Sequence, residues 1–315
     1  MIRKAAIVSI SGPILTKKEI TIIKKEKPWG IILFKRNITS ESQLMNLTKS
    51  IKKIMRDNKY PILIDEEGGQ VSRLSNFLNN SLFSQKYFGD IYKLNKNVGT
   101  KLYQLYINEI SKIFTKVNIN INTSPVLDLI KKNTHDVIGD RSYSASPFIV
   151  NKLGKLCIKF FKKKKIATVI KHIPGHGGAN SDSHFVLPRV HDSFKFLTKN
   201  DFKCFKNTSS LFAMTAHILY TKIDKKNNAT HSSAIIKKII RKEIGFNGIL
   251  ISDDISMKAL KYDIIRNANL ALNAGCNLVL YCAGKTQELK KLLNETPYID
   301  KFTMKKTSEF YKFLS

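Results

Sequence analysis

Along the chain, short β-branched or apolar runs alternate with longer stretches in which apolar residues recur at helical spacing. That alternation is the pattern of a parallel sheet whose strands are joined by crossover helices. Eight runs read as strands: Ala5–Ser9, Gly30–Phe34, Pro61–Asp65, Val117–Asn122, Ile166–His172, Leu211–His217, Gly248–Asp253 and Asn277–Cys282. Between them Ile20–Lys27, Leu44–Met55, Tyr103–Phe114, Ile149–Phe161, Ala234–Ile244 and Met257–Asn273 read as amphipathic helices. Thr16-x-x-Glu19 and Ser40-x-x-Gln43 are capping-box spellings, in which side chains satisfy the orphan amides of a helix start. Eight strand–helix units with no Pro/Gly/Ser-rich linker predict an α/β fold, a single (β/α)8 TIM-type barrel occupying residues 1–315 as one catalytic domain.

A barrel brings side chains at the carboxyl ends of its strands to one face, however distant they are in sequence. The unusual polar residues fall just there: Arg36, Asp65-Glu66-Glu67, Asp128, Lys171-His172, His217 and Asp253-Asp254. The fold prediction and the chemistry therefore point to the same pocket.

Composition narrows the class. Hydrophobic residues at 43% and charged residues at 25% suit a soluble globular protein, and no apolar run approaches the roughly 18 residues that span a bilayer. The short apolar start is interrupted by Ser9 and Ser11 and ended by Gly12-Pro13, so it reads as the first barrel strand rather than a signal segment, and a cytoplasmic location is expected. The four cysteines, Cys157, Cys204, Cys276 and Cys282, lack C-x-x-C spacing and are expected to be reduced. A net charge of +30 raises nucleic acid as a partner. Of the 54 basic residues, however, 46 are Lys scattered over nearly every helix and only 8 are Arg, the residue that phosphate and base readout favour. No specific nucleic-acid partner is expected, only salt-sensitive adhesion to polyanions.

Ile249-Leu250-Ile251-Ser252-Asp253-Asp254 is an apolar strand ending in two carboxylates, which fits either a nucleophile fixed in a pocket or a helix cap, Asp254 serving a helix that starts near Ser256. Asp182-Ser183-His184 places an acid where it can hold one ring nitrogen of the histidine and favour its protonated form, although a closed turn beside an exposed His has the same spelling. Lys171-His172-Ile173-Pro174-Gly175-His176-Gly177 combines hydrogen-bonding side chains suited to vicinal sugar hydroxyls with a turn. His172, His176, His184, His217 and Asp253 alternatively make up a metal site, the basis of a rival reading as a metal-dependent barrel hydrolase; it lacks the His-x-His pair expected after the first strand. Asp65 and Arg141, with Gly68-Gly69 permitting close backbone approach, can clamp hydroxyls from opposite sides.

Together these motifs resemble the β-N-acetylhexosaminidases of glycoside hydrolase family 3, the single-domain bacterial type of peptidoglycan recycling. The resemblance runs from about Ile7 to Gly284 and is carried by Lys171-His172-x-Pro174-Gly175-His176-Gly177, Asp182-Ser183-His184, Asp65-Glu66-Glu67-Gly68-Gly69, Ser124-Pro125-Val126-Leu127-Asp128, Ile138-Gly139-Asp140-Arg141-Ser142, Met214-Thr215-Ala216-His217 and Ser252-Asp253-Asp254. It implies Asp253 as nucleophile, His184 as acid/base, Asp182 as its partner, and sugar binding at Asp65, Arg73, Arg141, Lys171 and His172. It implies hydrolysis of terminal β-linked N-acetylglucosamine from muropeptides, a small-molecule substrate, with no metal or other cofactor; phosphorolysis stays open because the acid/base is a His, a monomer is expected, and the composition predicts no membrane partner. The chain departs from the family in Gly178-Ala179-Asn180-Ser181, smaller than the polar segment usual there, and in Tyr143, where Phe is usual.

Overall fold

The computed structural model describes residues 2–131, 138–178 and 187–315. In chain order its strands are β1 (Lys4–Val8), β2 (Pro28–Leu33), β3 (Ile62–Ile64), β4 (Ile121–Asn122), β5 (Ala167–Ile173), β6 (Arg189–Val190), β7 (Phe212–Thr215), β8 (Leu219–Tyr220), β9 (Ile249–Asp254) and β10 (Leu278–Tyr281). Eight of these, in the order β1-β2-β3-β4-β5-β7-β9-β10, close into a parallel barrel, while β6 and β8 pair with each other in a separate ribbon. Closure is made at β1, where Ile7 lies beside Leu280 of β10 and Gly30 of β2. Each predicted strand lies over one barrel strand, so the expected (β/α)8 barrel is the observed one.

The period-2 geometry of the strands builds two apolar layers. In β1, Ala5 and Ile7 join the barrel interior, whereas Ala6 and Val8 face the layer between strands and helices. Interior positions are filled by Ile32, Leu63, Val169, Met214 and Ile251 among others, giving a packed core rather than a pore. Towards the amino ends of the strands, Trp29, Phe212 and the C-terminal helix residue Phe310 stack in a triangle with centroids 5.4–6.2 Å apart. Trp29 Nε1 donates to Thr307 Oγ1 at 2.9 Å, so the helix Lys301–Leu314 closes this end through one polar and several aromatic contacts.

The capping boxes fare differently. Thr16 and Glu19 form the full reciprocal box at the start of Lys17–Glu26. Ser40 accepts from the Gln43 amide, but Gln43 turns its own carboxamide oxygen to the Thr39 amide, so only half of that box exists. The helix expected over Met257–Asn273 begins only at Ile264, because the Asp254 carboxylate ties the chain into a turn by accepting from the Ser256 and Cys282 amides, 3.0 and 3.1 Å away. Asp263 caps the helix instead, accepting from Ile265 and Arg266. Residues Ile235–Glu243 coil more widely than an α-helix, with bonds such as Ile244 N to Ile239 O spanning five residues. Among the described residues no helix is long and apolar enough to cross a membrane. All four cysteines are free, and all but Cys282 are buried.

Candidate active site

Asp65, Arg73, Arg141, Lys171, His172 and Asp253 all line one cavity of about 140 Å³ at the carboxyl ends of the strands. Six of the eight expected site residues thus meet, drawn from the ends of β3, β5 and β9 and from two loops. The other two, Asp182 and His184, lie outside the described residues. Phe34, Ile138 and Met257 supply an apolar part of the wall.

The polar part is a ladder of alternating charge. Asp65 Oδ1 lies 2.5 Å from Lys171 Nζ and 2.7 Å from Thr123 Oγ1, while Asp65 Oδ2 accepts from Arg73 at 2.7 Å. Lys171 Nζ also reaches Glu67 Oε1 at 2.6 Å. Glu67 in turn takes a two-pronged bond from Arg141, Nε to Oε2 at 2.8 Å and an Nη to Oε1 at 2.9 Å. Lys171 and Glu67 are only 2% and 4% exposed, so neither charge would be tolerated without its partners. Burial pushes the carboxyls of Asp65 and Glu67 up, but the facing cations outweigh it: Lys171 and Arg73 hold Asp65 well below the usual carboxylate range, and Arg141 and Lys171 hold Glu67 below it. Reciprocally, and against the same burial, Asp65 and Glu67 keep Lys171 protonated above its ordinary range. Such a ladder presents fixed donors and acceptors to an array of hydroxyls without having to reorganise.

Two buried acids hold this ladder from behind. Glu66, 2% exposed, accepts from the backbone amides of Arg73 and Leu74 at 2.7 and 3.1 Å, from Ser72 Oγ and from Asn80 Nδ2, which folds the loop carrying Arg73 back over β3. Gly68 permits the fold: its φ is +81°, and a Cβ there would stand 2.3 Å from the Phe83 carbonyl oxygen. Asp128, fully buried, accepts from His172 Nδ1 at 2.7 Å and from the amides of His172 and His176 at 3.2 and 2.7 Å. A carboxylate on Nδ1 fixes the ring's orientation and leaves Nε2 for the cavity. Desolvation pushes His176 down to about 4, which leaves it neutral at physiological pH.

Asp253 ends β9. Its Oδ1 accepts from the Asp254 amide at 2.8 Å. Burial pushes its carboxyl up, but the neighbouring His217 and His172 and that amide bond bring it below its ordinary value, so it is ionised at neutral pH. Asp254 takes the other part: burial raises it, and its oxygens are spent on Ser256 and Cys282. Both carboxylates line the cavity, but their environments differ: Asp254 is tied into a turn, whereas Asp253 keeps one oxygen with no hydrogen bond among the described residues. His217 points neither nitrogen at the cavity: Nδ1 is 2.7 Å from Thr230 Oγ1 and Nε2 3.0 Å from the Asp254 carbonyl oxygen.

Glu66, Glu67, Asp128 and the threonines Thr123, Thr215 and Thr230 received no role from the sequence. A signal existed for the acids, since Glu66, Glu67 and Asp128 all follow buried strands in a chain with only 24 acidic residues, and an acid in such a place needs a partner. For Thr230, in a loop remote in sequence from β9, there was none.

Comparison with known proteins places the fold in a family. The model of the "Glycosyl hydrolase family 3 N terminal domain" matches residues 6–306. A β-hexosaminidase of Methylobacillus flagellatus is 32% identical over 278 residues, covering 87% of this chain and 78% of that protein. The crystal structure of NagZ from Neisseria gonorrhoeae in complex with N-trifluoroacetyl-D-glucosamine superposes with a TM-score of 0.88 at 27% identity, covering 100% of this chain and 90% of that one. A family 3 β-N-acetylglucosaminidase from Paenibacillus sp. gives 0.86 at 25% identity; this chain covers 60% of its length. With the barrel, its loaded carboxyl-terminal face and a family match running almost end to end, the chain belongs to glycosyl hydrolase family 3.

Proposed function

We propose that this protein is a retaining exo-β-N-acetylglucosaminidase that removes terminal β-linked N-acetylglucosamine from peptidoglycan-derived muropeptides. The observation that carries this reading is an Asp253 carboxyl held below its ordinary value in a cavity that Asp65, Lys171 and Arg141, joined through Glu67 behind them, also line. In this reading the ladder, with Arg73 and His172, grips the sugar hydroxyls. An Asp253 oxygen attacks the anomeric carbon; Oδ2 is the one with no hydrogen bond among the described residues. As the new C–O bond forms, the glycosidic C–O bond breaks and its electron pair leaves with the aglycone oxygen, which takes a proton from His184. His184, oriented by Asp182, then takes a proton from water, which opens the glycosyl ester and releases Asp253 with overall retention. The names of the relatives, β-hexosaminidase and β-N-acetylglucosaminidase, support the sugar, and the family match over residues 6–306 supports one catalytic domain. The muropeptide aglycone is carried by the resemblance to the recycling enzymes, and the cytoplasmic location by the reading of the opening residues as a barrel strand; a monomer completes the proposal.

The metal-dependent alternative needs the histidines to turn lone pairs onto one ion. Of the histidines that alternative names, His217 has both nitrogens on protein groups, whereas His172 keeps Nε2 toward the cavity and His184 lies outside the described residues; activity retained after chelator treatment would end the metal reading.

The test is turnover of a chromogenic β-N-acetylglucosaminide by Asp253→Ala. Activity should fall at least roughly 10³-fold with the fold intact by circular dichroism. Intact-mass analysis of the wild type with a slow substrate should show one added N-acetylhexosaminyl group that the variant lacks. A variant that still turns over, or an inverted product anomer by NMR, would remove Asp253 from this role.

A further inference from the structure

Behind Asp253 lies a chain of buried hydrogen bonds that returns to the strand it started from. The Asp253 amide donates to Thr215 Oγ1 at 3.3 Å; Thr215 Oγ1 lies 2.8 Å from Thr230 Oγ1; Thr230 Oγ1 lies 2.7 Å from His217 Nδ1; and His217 Nε2 is 3.0 Å from the carbonyl oxygen of Asp254. Thr215, His217 and Thr230 are each 0% exposed. A carbonyl oxygen can only accept, so Nε2 carries a hydrogen. In the neutral ring Nδ1 then accepts from the Thr230 hydroxyl, which accepts from the Thr215 hydroxyl, which accepts from the Asp253 amide. Thr230 Oγ1 also lies 3.3 Å from the Ala216 carbonyl oxygen, a second acceptor for its one hydrogen, and the path as a whole is a ring that grips the backbone of β9 on both sides of the nucleophile's carboxylate.

We infer that Thr230 and His217, through Thr215, form a positioning unit that fixes the backbone of Asp253 and Asp254 and thereby the attack angle of the Asp253 carboxylate. This rests on the reading of Asp253 as nucleophile. None of the three side chains touches substrate in this account. The geometric reason is that Asp253 and Asp254 are the last residues of β9, where the ladder with β10 already slips between Leu278 and Leu280, so ladder bonds alone do not fix the strand end. The Asp254 amide supplies the hydrogen bond to Asp253 Oδ1, so a rotation of that peptide moves the carboxylate directly.

The discriminating substitution is Thr230→Val, which keeps the shape and removes the hydroxyl, compared with Thr230→Ser, which keeps the hydroxyl. Thr230→Val should lower kcat about 10- to 100-fold, the order expected when a reacting group is displaced by a fraction of an ångström to 1 Å, with KM within about threefold of wild type. Thr230→Ser should restore most of the rate. In the wild type, ¹⁵N NMR of labelled histidine should show His217 as the neutral Nε2–H tautomer at pH 7, a readout that needs no variant to fold. The inference is overturned if Thr230→Val keeps the wild-type kcat, if it loses KM and kcat alike without rescue by Ser, or if His217 carries its hydrogen on Nδ1 alone. Asp253→Ala, assayed in parallel, separates the two claims: an active Asp253→Ala sinks the nucleophile reading, whereas an inactive one beside a fully active Thr230→Val sinks only the positioning unit.

Discussion

At the scale of single residues, the site works by making charge cheap where water is absent. Asp128 illustrates it: a fully buried carboxylate is costly on its own, but three donors from His172 and His176 hold it below its ordinary range despite the desolvation that pushes it up. Its return is a fixed His172 ring. Asp128→Asn keeps the size but presents a neutral amide to Nδ1, and kcat/KM should fall about 10- to 100-fold, as for other buried partners of functional histidines; steady-state kinetics on the chromogenic substrate checks this, and an unchanged value would mean His172 holds its orientation without the charge. The depressed acids also set a pH window. Asp65, Glu67, Asp128 and Asp253 all titrate lower in the folded protein than in the unfolded chain, where Asp and Glu lie near about 3.9 and 4.3. Their contribution to stability is therefore fully present above those unfolded values and is lost as pH falls through the folded ones. Glu66 and Asp254, raised by burial, have the opposite sign. His176 and His231, pushed down to about 4 by burial, share the sign of the depressed acids but act earlier, because the unfolded imidazole takes up its proton near about 6.5. Thermal midpoints should consequently begin to fall below about pH 6.5 and drop further below about pH 4; scanning calorimetry across pH 3–7 checks this, and a midpoint that is flat down to pH 4 would contradict the neutral burial of these histidines.

Among elements, the helix Gln85–Leu94 matters to the site because it presses on the loop that bears Arg141. Gln85 Nε2 donates to the Arg141 and Val126 carbonyls, while its Oε1 accepts from the Val126 amide, so one side chain ties that helix to two site loops. The approach is closest at Gly89, where a Cβ would sit 1.8 Å from the carbonyl oxygen of Tyr143. Gly89→Ala must push helix and loop apart. Overpacking of this kind costs about 1–3 kcal/mol, and Gly89→Ala should also raise KM, because the displaced loop carries the Arg141 end of the ladder. Urea unfolding and kinetics together check it; a stability loss with wild-type KM would show that the Arg141 loop is held by Glu67 alone. Tyr143 itself, where Phe is usual in the family, is fully buried and shares a hydroxyl–hydroxyl bond with Tyr103, so the added oxygen is satisfied.

For the molecule as a whole, the charge is distributed in two ways. The site holds its ions in matched, buried pairs, whereas the lysine surplus that gives +30 is spread over the surface. Self-repulsion among those lysines destabilises the compact state and is screened beyond roughly 10 Å at 0.1 M salt. The thermal midpoint should therefore rise by a few degrees between about 10 and 150 mM NaCl, without the loss that rupture of the buried ladder would cause. A midpoint that falls with salt would mean that attractive surface pairs, such as Lys206–Glu243 at 2.6 Å, outweigh the surplus.

The sequence by itself determined the barrel and the face of it that matters. Strand period, helix period and the absence of linkers are local properties, and they placed all eight barrel strands; strand-terminal polar residues then named Asp65, Lys171, His172 and Asp253, a loop motif added Arg141 and the family resemblance Arg73, and the fold brings all six into one cavity. What tertiary structure decided is which neighbours those residues have. Asp253 and Asp254 are chemically identical in sequence; neighbouring histidines lower the carboxyl of one, while burial raises the other, which the Ser256–Cys282 turn holds, and the same turn delays the following helix to Ile264. Glu67 joins Lys171 and Arg141 across 104 and 74 residues of chain, and Thr230 reaches Asp253 through Thr215 and Asp254 through His217. Pairings of that kind are set by barrel closure, because periodicity reports which face a residue occupies and carries nothing about what stands opposite it.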